Sequence, residues 1–151
     1  MYDKGYTGCE APYTSYTQHT PKVGLSRPSR PSFRDAVRFA EVQIELNAID
    51  ERHKAQAREL CYIIAEVYLM NPDAPIRISG ELLDGHVVQQ VFHEITADHV
   101  MLVIENFSRN TYAIKNKKAY LRTSLYNSVF ELEASIENDF RCCESGAGGT
   151  L

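Results

Sequence analysis

The stretch Thr96 to Val129 constrains the fold more than any other, because its apolar residues recur with helical period on both sides of a polar break. Val100, Val103, Ile104 and Phe107 fall at i, i+3, i+4 and i+7, one face of a helix. Thr96 precedes them as an N-cap, and Asp98 suits the positive end of the helix dipole. Asn110-Thr111 is a stop signal, since asparagine tolerates the left-handed C-terminal conformation. Ile114, Leu121, Leu125, Val129 and Leu132 then return on a second helical stripe, with Ser124 and Ser128 allowing a neighbouring helix to approach closely. The expected unit is a pair of core-forming helices. Between Glu105 and Glu131 there is no acidic residue, yet Arg109, Lys115, Lys117, Lys118 and Arg122 all lie there. In a chain of formal net charge -4, that local excess points to a partner.

A chain of 151 residues accommodates one domain with tails and a core of useful size. A pI near 5.7 argues against a protein coated by nucleic acid, so any such binding is expected along one face. No run of about eighteen apolar residues exists, and the N-terminus lacks the basic-then-apolar pattern of a secretory signal. A cytoplasmic protein is the expectation. Cys61 occupies an apolar helical position and reads as a buried free thiol, whereas Cys9, Cys142 and Cys143 fall in polar segments. No CxxC spacing prepares a zinc site, and the usage fits a reducing compartment.

Residues 1–32 hold Tyr2, Tyr6, Tyr13 and Tyr16 among Thr, Ser, Pro and Gly, with Val23 and Leu25 as the strong aliphatics. Such a composition does not offset chain entropy, so a disordered arm is expected, ending in the basic extended linker Arg27-Pro28-Ser29-Arg30-Pro31. Ser32 is placed to cap a helix beginning near Arg34, whose expected inward positions are Val37, Val42, Ile44 and Leu46. After a break at residues 47–50, Asp50 caps a longer helix to about Leu69, striped by Ala57, Leu60, Cys61, Ile64, Val67 and Tyr68. Asn71-Pro72-Asp73-Ala74-Pro75 ends it. Ile76-Arg77-Ile78 reads as a very short strand or extended link, Gly80 as a turn, and Asp84 to His93 as a short helix. That helix is expected to turn Val87, Val88, Val91 and Phe92 inward. The last helix is expected to end near Phe140, leaving 142–151 as a frayed tail.

Few residues offer chemistry. His86, His93 and His99 are spaced so that no single helix face gathers all three, and no carboxylate or thiol set completes a metal shell. No GxSxG, GxxxxGK[ST] or GxGxxG occurs, and the carboxylates are scattered along helices. The reading is of a non-enzyme without cofactor or metal. The basic segment is the one site-like feature. By i+3 and i+4 spacing it sets Lys115, Lys118 and Arg122 on one face, with Lys117 near by reach and Tyr112 and Tyr120 available for stacking. A phosphate backbone and an acidic protein surface both fit that face, and so does simple solvation.

The region from about Leu60 to Asn127 resembles the C-terminal domain of RepA-type replication initiator proteins from plasmids and conjugative elements. The matching pieces are Ile76-Arg77-Ile78-Ser79-Gly80, Val87-Val88 with Phe92, and Ile95-Thr96-Ala97-Asp98-His99-Val100. They continue through Asn110-Thr111, Ile114-Lys115-Asn116, Ala119-Tyr120-Leu121 and Leu125-Tyr126-Asn127. The resemblance implies an all-α, DnaD-like helical module that recruits bacterial primase, helicase or helicase loader, with single-stranded DNA as a further partner. Two features depart from that pattern. Residues 1–32 read as a tail where such initiators carry a winged-helix domain, and the DnaD-type aromatic motif is not reproduced after Tyr120, where Ser124 and Ser128 stand instead.

The expected protein is therefore a compact all-α bundle, with an arm over 1–32, a helical domain over 33–141 and a tail over 142–151. Its expected role is that of a replication accessory domain of a bacterial mobile element, with no membrane contact. Arg109, Lys115, Lys117, Lys118, Tyr120 and Arg122 are the expected contact residues for nucleic acid or partner, and Asn116 and Asn127 are read as structural. The alternative is a helical protein-interaction adaptor or homodimer with no direct nucleic-acid binding.

Overall fold

A computed structural model describes residues 29–148, with side chains through residue 141. Most of the expected arm, with its tyrosines and Cys9, and the side chains of Cys142 and Cys143 lie outside the described residues. The described residues from Pro31 onward belong to one compact unit. It is helical: α1 (Phe33–Gln43), a 3-10 turn (Leu46–Ala48), α2 (Glu51–Leu69), α3 (Gly85–His93), α4 (Ala97–Arg109) and α5 (Lys117–Gly148). A small antiparallel hairpin, β1 (Ile76–Ile78) and β2 (Glu81–Leu83), stands between α2 and α3.

The core sits around α2. Ala57, Leu60, Cys61, Ile63, Ile64, Ala65 and Val67 are all buried, a wider arc than one neighbouring helix covers. Burial pushes the Cys61 thiol up to about 12, so it is a packing residue and not a nucleophile. Helix α1 meets α2 through Ala36 and Ala40, whose small side chains allow close approach, and through Ile44. This corrects the expected inward set: Val42 is 77% exposed and Val37 only half-buried, because the arc facing α2 is centred on the alanines. The helix starts at Phe33 under a capping box, in which the Ser32 hydroxyl accepts from the Asp35 amide and Asp35 accepts from the Ser32 amide.

Two glutamines tie the helix ends together. Gln43 Nε2 donates to the carbonyls of Phe92 (2.9 Å) and Ile95 (2.8 Å), at the C-terminal end of α3. Gln89 Nε2 donates to those of Val67 (2.9 Å) and Met70 (3.0 Å), at the end of α2. Carbonyls at these helix ends thus receive side-chain donors from other helices, beside the backbone amides of Met70 and Ile95 that reach Val67 O and Phe92 O. Tyr68 joins the first group, its hydroxyl donating to Gln43 Oε1 (2.6 Å) and Phe92 O (3.0 Å).

The extended Ile76–Ile78 segment pairs with Glu81–Leu83 in the register Ile76↔Leu83, Arg77↔Leu82, Ile78↔Glu81. The two turn residues Ser79 and Gly80 both have positive φ (56° and 89°), as a type I′ hairpin turn requires. The Ser79 amide donates to Thr123 Oγ1 at 3.0 Å, fastening the turn to α5. In α3, Val88 and Phe92 are buried, Val91 is half-buried and Val87 is exposed. Of the four expected inward residues, Val87 is the exception, since no described element covers the side of this short helix on which it lies. At the start of α3, the carbonyl oxygens of Pro72 and Ala74 lie 2.5 Å from where a Cβ on Gly85 would stand.

In α4, Val100, Val103 and Ile104 are buried as their period requires. His99, also buried, accepts at Nδ1 from the Thr96 amide (2.9 Å) and so completes the N-terminal cap. The helix ends without a left-handed residue, in contrast to the expectation for Asn110. Asn110 is extended (φ -76°, ψ 118°), and its side chain closes the turn by accepting from the Tyr112 amide at 2.9 Å. Helix α5 begins at Lys117, with Asn116 Oδ1 accepting from the Ala119 amide, the capping role expected of that asparagine. Its backbone stays helical to Gly148, past the expected end near Phe140, because no proline or glycine interrupts residues 117–145. No helix among the described residues is long and apolar enough to cross a membrane.

Gly85→Ala is expected to cost about 1–3 kcal/mol in urea unfolding, since the new methyl would meet backbone that cannot rotate away. The second expectation concerns pH. Burial holds the His99 pKa below the usual 6.5, against the opposing pull of Asp98, Glu133 and Glu94. The unfolded chain therefore takes up the proton first. Its contribution to stability is complete above about pH 6.5 and declines as pH falls from there through the lower folded-state pKa. Urea midpoints measured between pH 7.5 and 5 should fall less steeply for His99→Gln than for the natural chain.

Candidate interaction surface

The basic segment is divided between two elements. Arg109 ends α4, Lys115 lies in the connecting loop, and Lys117, Lys118 and Arg122 occupy the first turns of α5. The helical spacing expected between Lys115 and Lys118 does not hold, because Asn116 caps the helix and Lys115 precedes it.

Three of the five cations meet carboxylates of the same chain. Lys117 Nζ lies 2.8 Å from Glu59 and 5.3 Å from the centre of the Phe107 ring. Lys118 Nζ lies 2.7 Å from Glu66. Glu59 and Glu66 are two turns apart on α2, so these lysines act as paired clips holding the start of α5 on the central helix. Arg109 sits 3.5 Å from Glu105, one turn back on α4. Among the described residues, Lys115 and Arg122 have no ion-pair partner; Lys115 is exposed and Arg122 half-buried. The expected continuous cationic face is thus mostly neutralised. Partly exposed pairs of this kind contribute little each, yet they remove most of the local potential that would attract phosphate.

Tyr120 is equally occupied. It is half-buried against Phe107, with ring centres 6.0 Å apart, and its hydroxyl accepts from Asn110 Nδ2 at 3.3 Å. Tyr112, 84% exposed, is the aromatic ring open to stacking beside Lys115 in sequence. The three histidines go to separate places: His86 is 3.0 Å from Asp73, His93 stacks on Tyr68 with centres 4.5 Å apart, and His99 is in the core. Among the described residues no group of three or more His, Cys, Asp or Glu is arranged to hold a metal ion.

The second half of α5 carries a feature that periodicity alone did not separate from core. Its stripe runs Leu121, Leu125, Val129, Leu132, Ile136, Phe140, in steps of three and four. The first three are buried and Leu132 is half-buried, but Ile136 is 51% and Phe140 68% exposed. Helix lengths explain the change. Helix α4 has 13 residues and α5 has 32. Leu132 shares a groove with Asp98 and Met101 in the first turns of α4, and Glu133 is among the charges acting on His99. That level is the N-terminal end of α4, and past it α4 gives no cover. From Ala134 to Gly148 the helix continues for about 22 Å at its normal rise. Phe130, Glu133, Ala134, Ile136, Glu137 and Phe140 line an open groove of about 590 Å³ along it. The signal was present in the sequence as a stripe longer than the partner helix available to cover it.

If the lysine clips are ordinary half-exposed ion pairs, a double-mutant cycle of Lys118→Ala with Glu66→Ala should give a coupling of about 0.5 kcal/mol in urea unfolding. A coupling near zero would release Lys118 to act outside the chain.

No curated protein and no solved structure matches the chain. The family match spans residues 32–142, beginning at the Ser32 cap and taking in the described helical body, and by it the chain belongs to a family of unknown function, DUF6017.

Proposed function

We propose that this chain is a non-enzymatic recruitment module: a helical body that holds a bacterial replication protein, namely primase, helicase or helicase loader, by protein contact. The resemblance of residues 60–127 to plasmid initiator C-terminal domains supports the replication setting on a mobile element and a cytoplasmic location. The observation that carries contact in preference to chemistry is the second half of α5, where Ile136 and Phe140 stay open to solvent on a line continuous with the core. Contiguous exposed apolar surface marks places where another protein is received.

Direct binding to single-stranded DNA is the subordinate part of this reading. With Lys117, Lys118 and Arg109 engaged internally, Lys115 and Arg122 are left for phosphate, with exposed Tyr112 three residues before Lys115. Two phosphate contacts are expected to give an observed salt slope of about -1.4, against about -3.5 if all five cations took part.

Two measurements test the reading. Calorimetric titration with primase, helicase and helicase loader of the bacterial host should show binding by one of them, unchanged in a Lys115→Ala/Lys118→Ala/Arg122→Ala variant. Anisotropy of a labelled single-stranded oligonucleotide should show weak binding with the shallow slope. Absence of all three protein interactions, or a steep slope with loss of every interaction in the triple variant, would overturn recruitment by protein contact.

A further inference from the structure

We propose that the second half of α5 is a docking strip for a basic amphipathic helix. The inference deepens the recruitment reading and rests on it, because it names the kind of segment the partner presents. The strip is built like half of a helix pair. Leu132, Ile136 and Phe140 follow one another at four-residue steps, the spacing with which a helix receives the apolar face of another. Phe130 and Ala134 line the same open groove as Ile136 and Phe140, with Glu133 and Glu137 between them.

The rim decides the occupant. On an ideal helical wheel Glu133 and Glu137 flank the Ile136–Phe140 line on one side and Asp139 flanks it on the other, with Glu131 on the far face. From Phe130 to Arg141 there are four carboxylates and one arginine, so the segment carries -3, and three of the carboxylates border the strip. All four carboxylates are exposed. A second copy of the same strip would set acidic rim against acidic rim, and an anionic membrane surface would repel it. A helix with leucine-like residues on one face and Lys or Arg along both edges meets the apolar line and the charges together. Its lysine and arginine stems would also lie over the exposed Phe rings.

The test uses the full chain and two labelled helical peptides of equal length, one of leucine and lysine and one of leucine and glutamate. Anisotropy should show binding of the lysine peptide and none of the glutamate peptide. Ile136→Ser/Phe140→Ser should weaken the lysine peptide by roughly tenfold or more. Glu133→Lys/Glu137→Lys/Asp139→Lys should exchange the preference between peptides. All five positions are exposed, and circular dichroism of each variant establishes that the fold is retained. Equal binding of both peptides, or indifference to both variants, would overturn the strip. So would sedimentation showing a dimer abolished by Ile136→Ser/Phe140→Ser in a chain that binds neither peptide, since the occupant would then be a second copy. The two readings fail separately. A strip that binds the lysine peptide as described, in a chain that no replication protein recognises, overturns the replication setting alone. A replication protein held equally well by the Ile136→Ser/Phe140→Ser variant overturns the strip and leaves recruitment in place.

Discussion

Burial of α2 around much of its circumference is the constraint to which the other elements answer. From Ala57 onward its apolar residues span an arc too wide for a single partner, with Ile63 and Ala65 extending the stripe set by Leu60, Cys61, Ile64 and Val67. Helices α1, α3, α4 and α5 each cover a sector. The cover is close where side chains are small, as at Ala36 and Ala40, and it makes the helix ends a problem to be solved inside the protein. Carbonyls at these ends meet Gln43 and Gln89, whose amide groups bridge one helix to the next. The glutamines and Tyr68 therefore belong to the core as much as the aliphatic residues do.

Helix α5 shows how one stripe serves two ends. Over its first four turns Leu121, Leu125 and Val129 are sealed, Ser128 turns its hydroxyl back to the Leu125 carbonyl, and two lysines clip the helix to α2. Past Glu133 the same spacing continues with no described element to cover it. Apolar surface that the chain does not bury is surface whose removal from water can drive association, at about 25 cal/mol per Å² before the costs of binding. The transition from core to open strip needs no change in the pattern of the helix. It follows from where α4 begins.

Charge is redistributed by folding in a way that linear clustering does not show. Lys117 and Lys118 stand in a run without acidic neighbours, yet their partners Glu59 and Glu66 come from 58 and 52 residues away. The chain thus separates into a near end of α5 where cations are largely neutralised and a far end where carboxylates stand exposed. A partner sensing this surface meets negative charge beside apolar side chains, the reverse of what the basic run suggested.

The helical architecture was legible from residue order because it rests on local rules. Apolar period placed α2 and α4, and Ser32, Asp50, Asp84 and Thr96 marked helix starts with side chains or positions suited to capping. The prolines at 72 and 75 ended α2, and Ser79-Gly80 turned a short extended segment into a hairpin once β2 was there to pair with it. Which apolar residues face inward was less legible. Val42 and Val87 are as hydrophobic as their buried neighbours, and only the position of an adjacent element separates them. The candidate surface was decided wholly by tertiary structure, since Lys118 is a free cation or half of an ion pair according to where Glu66 arrives. Likewise Ile136 is core or interface according to how far α4 reaches. Periodicity and capping act over a few residues and are written in order along the chain, whereas cover and charge pairing depend on elements brought together from far apart.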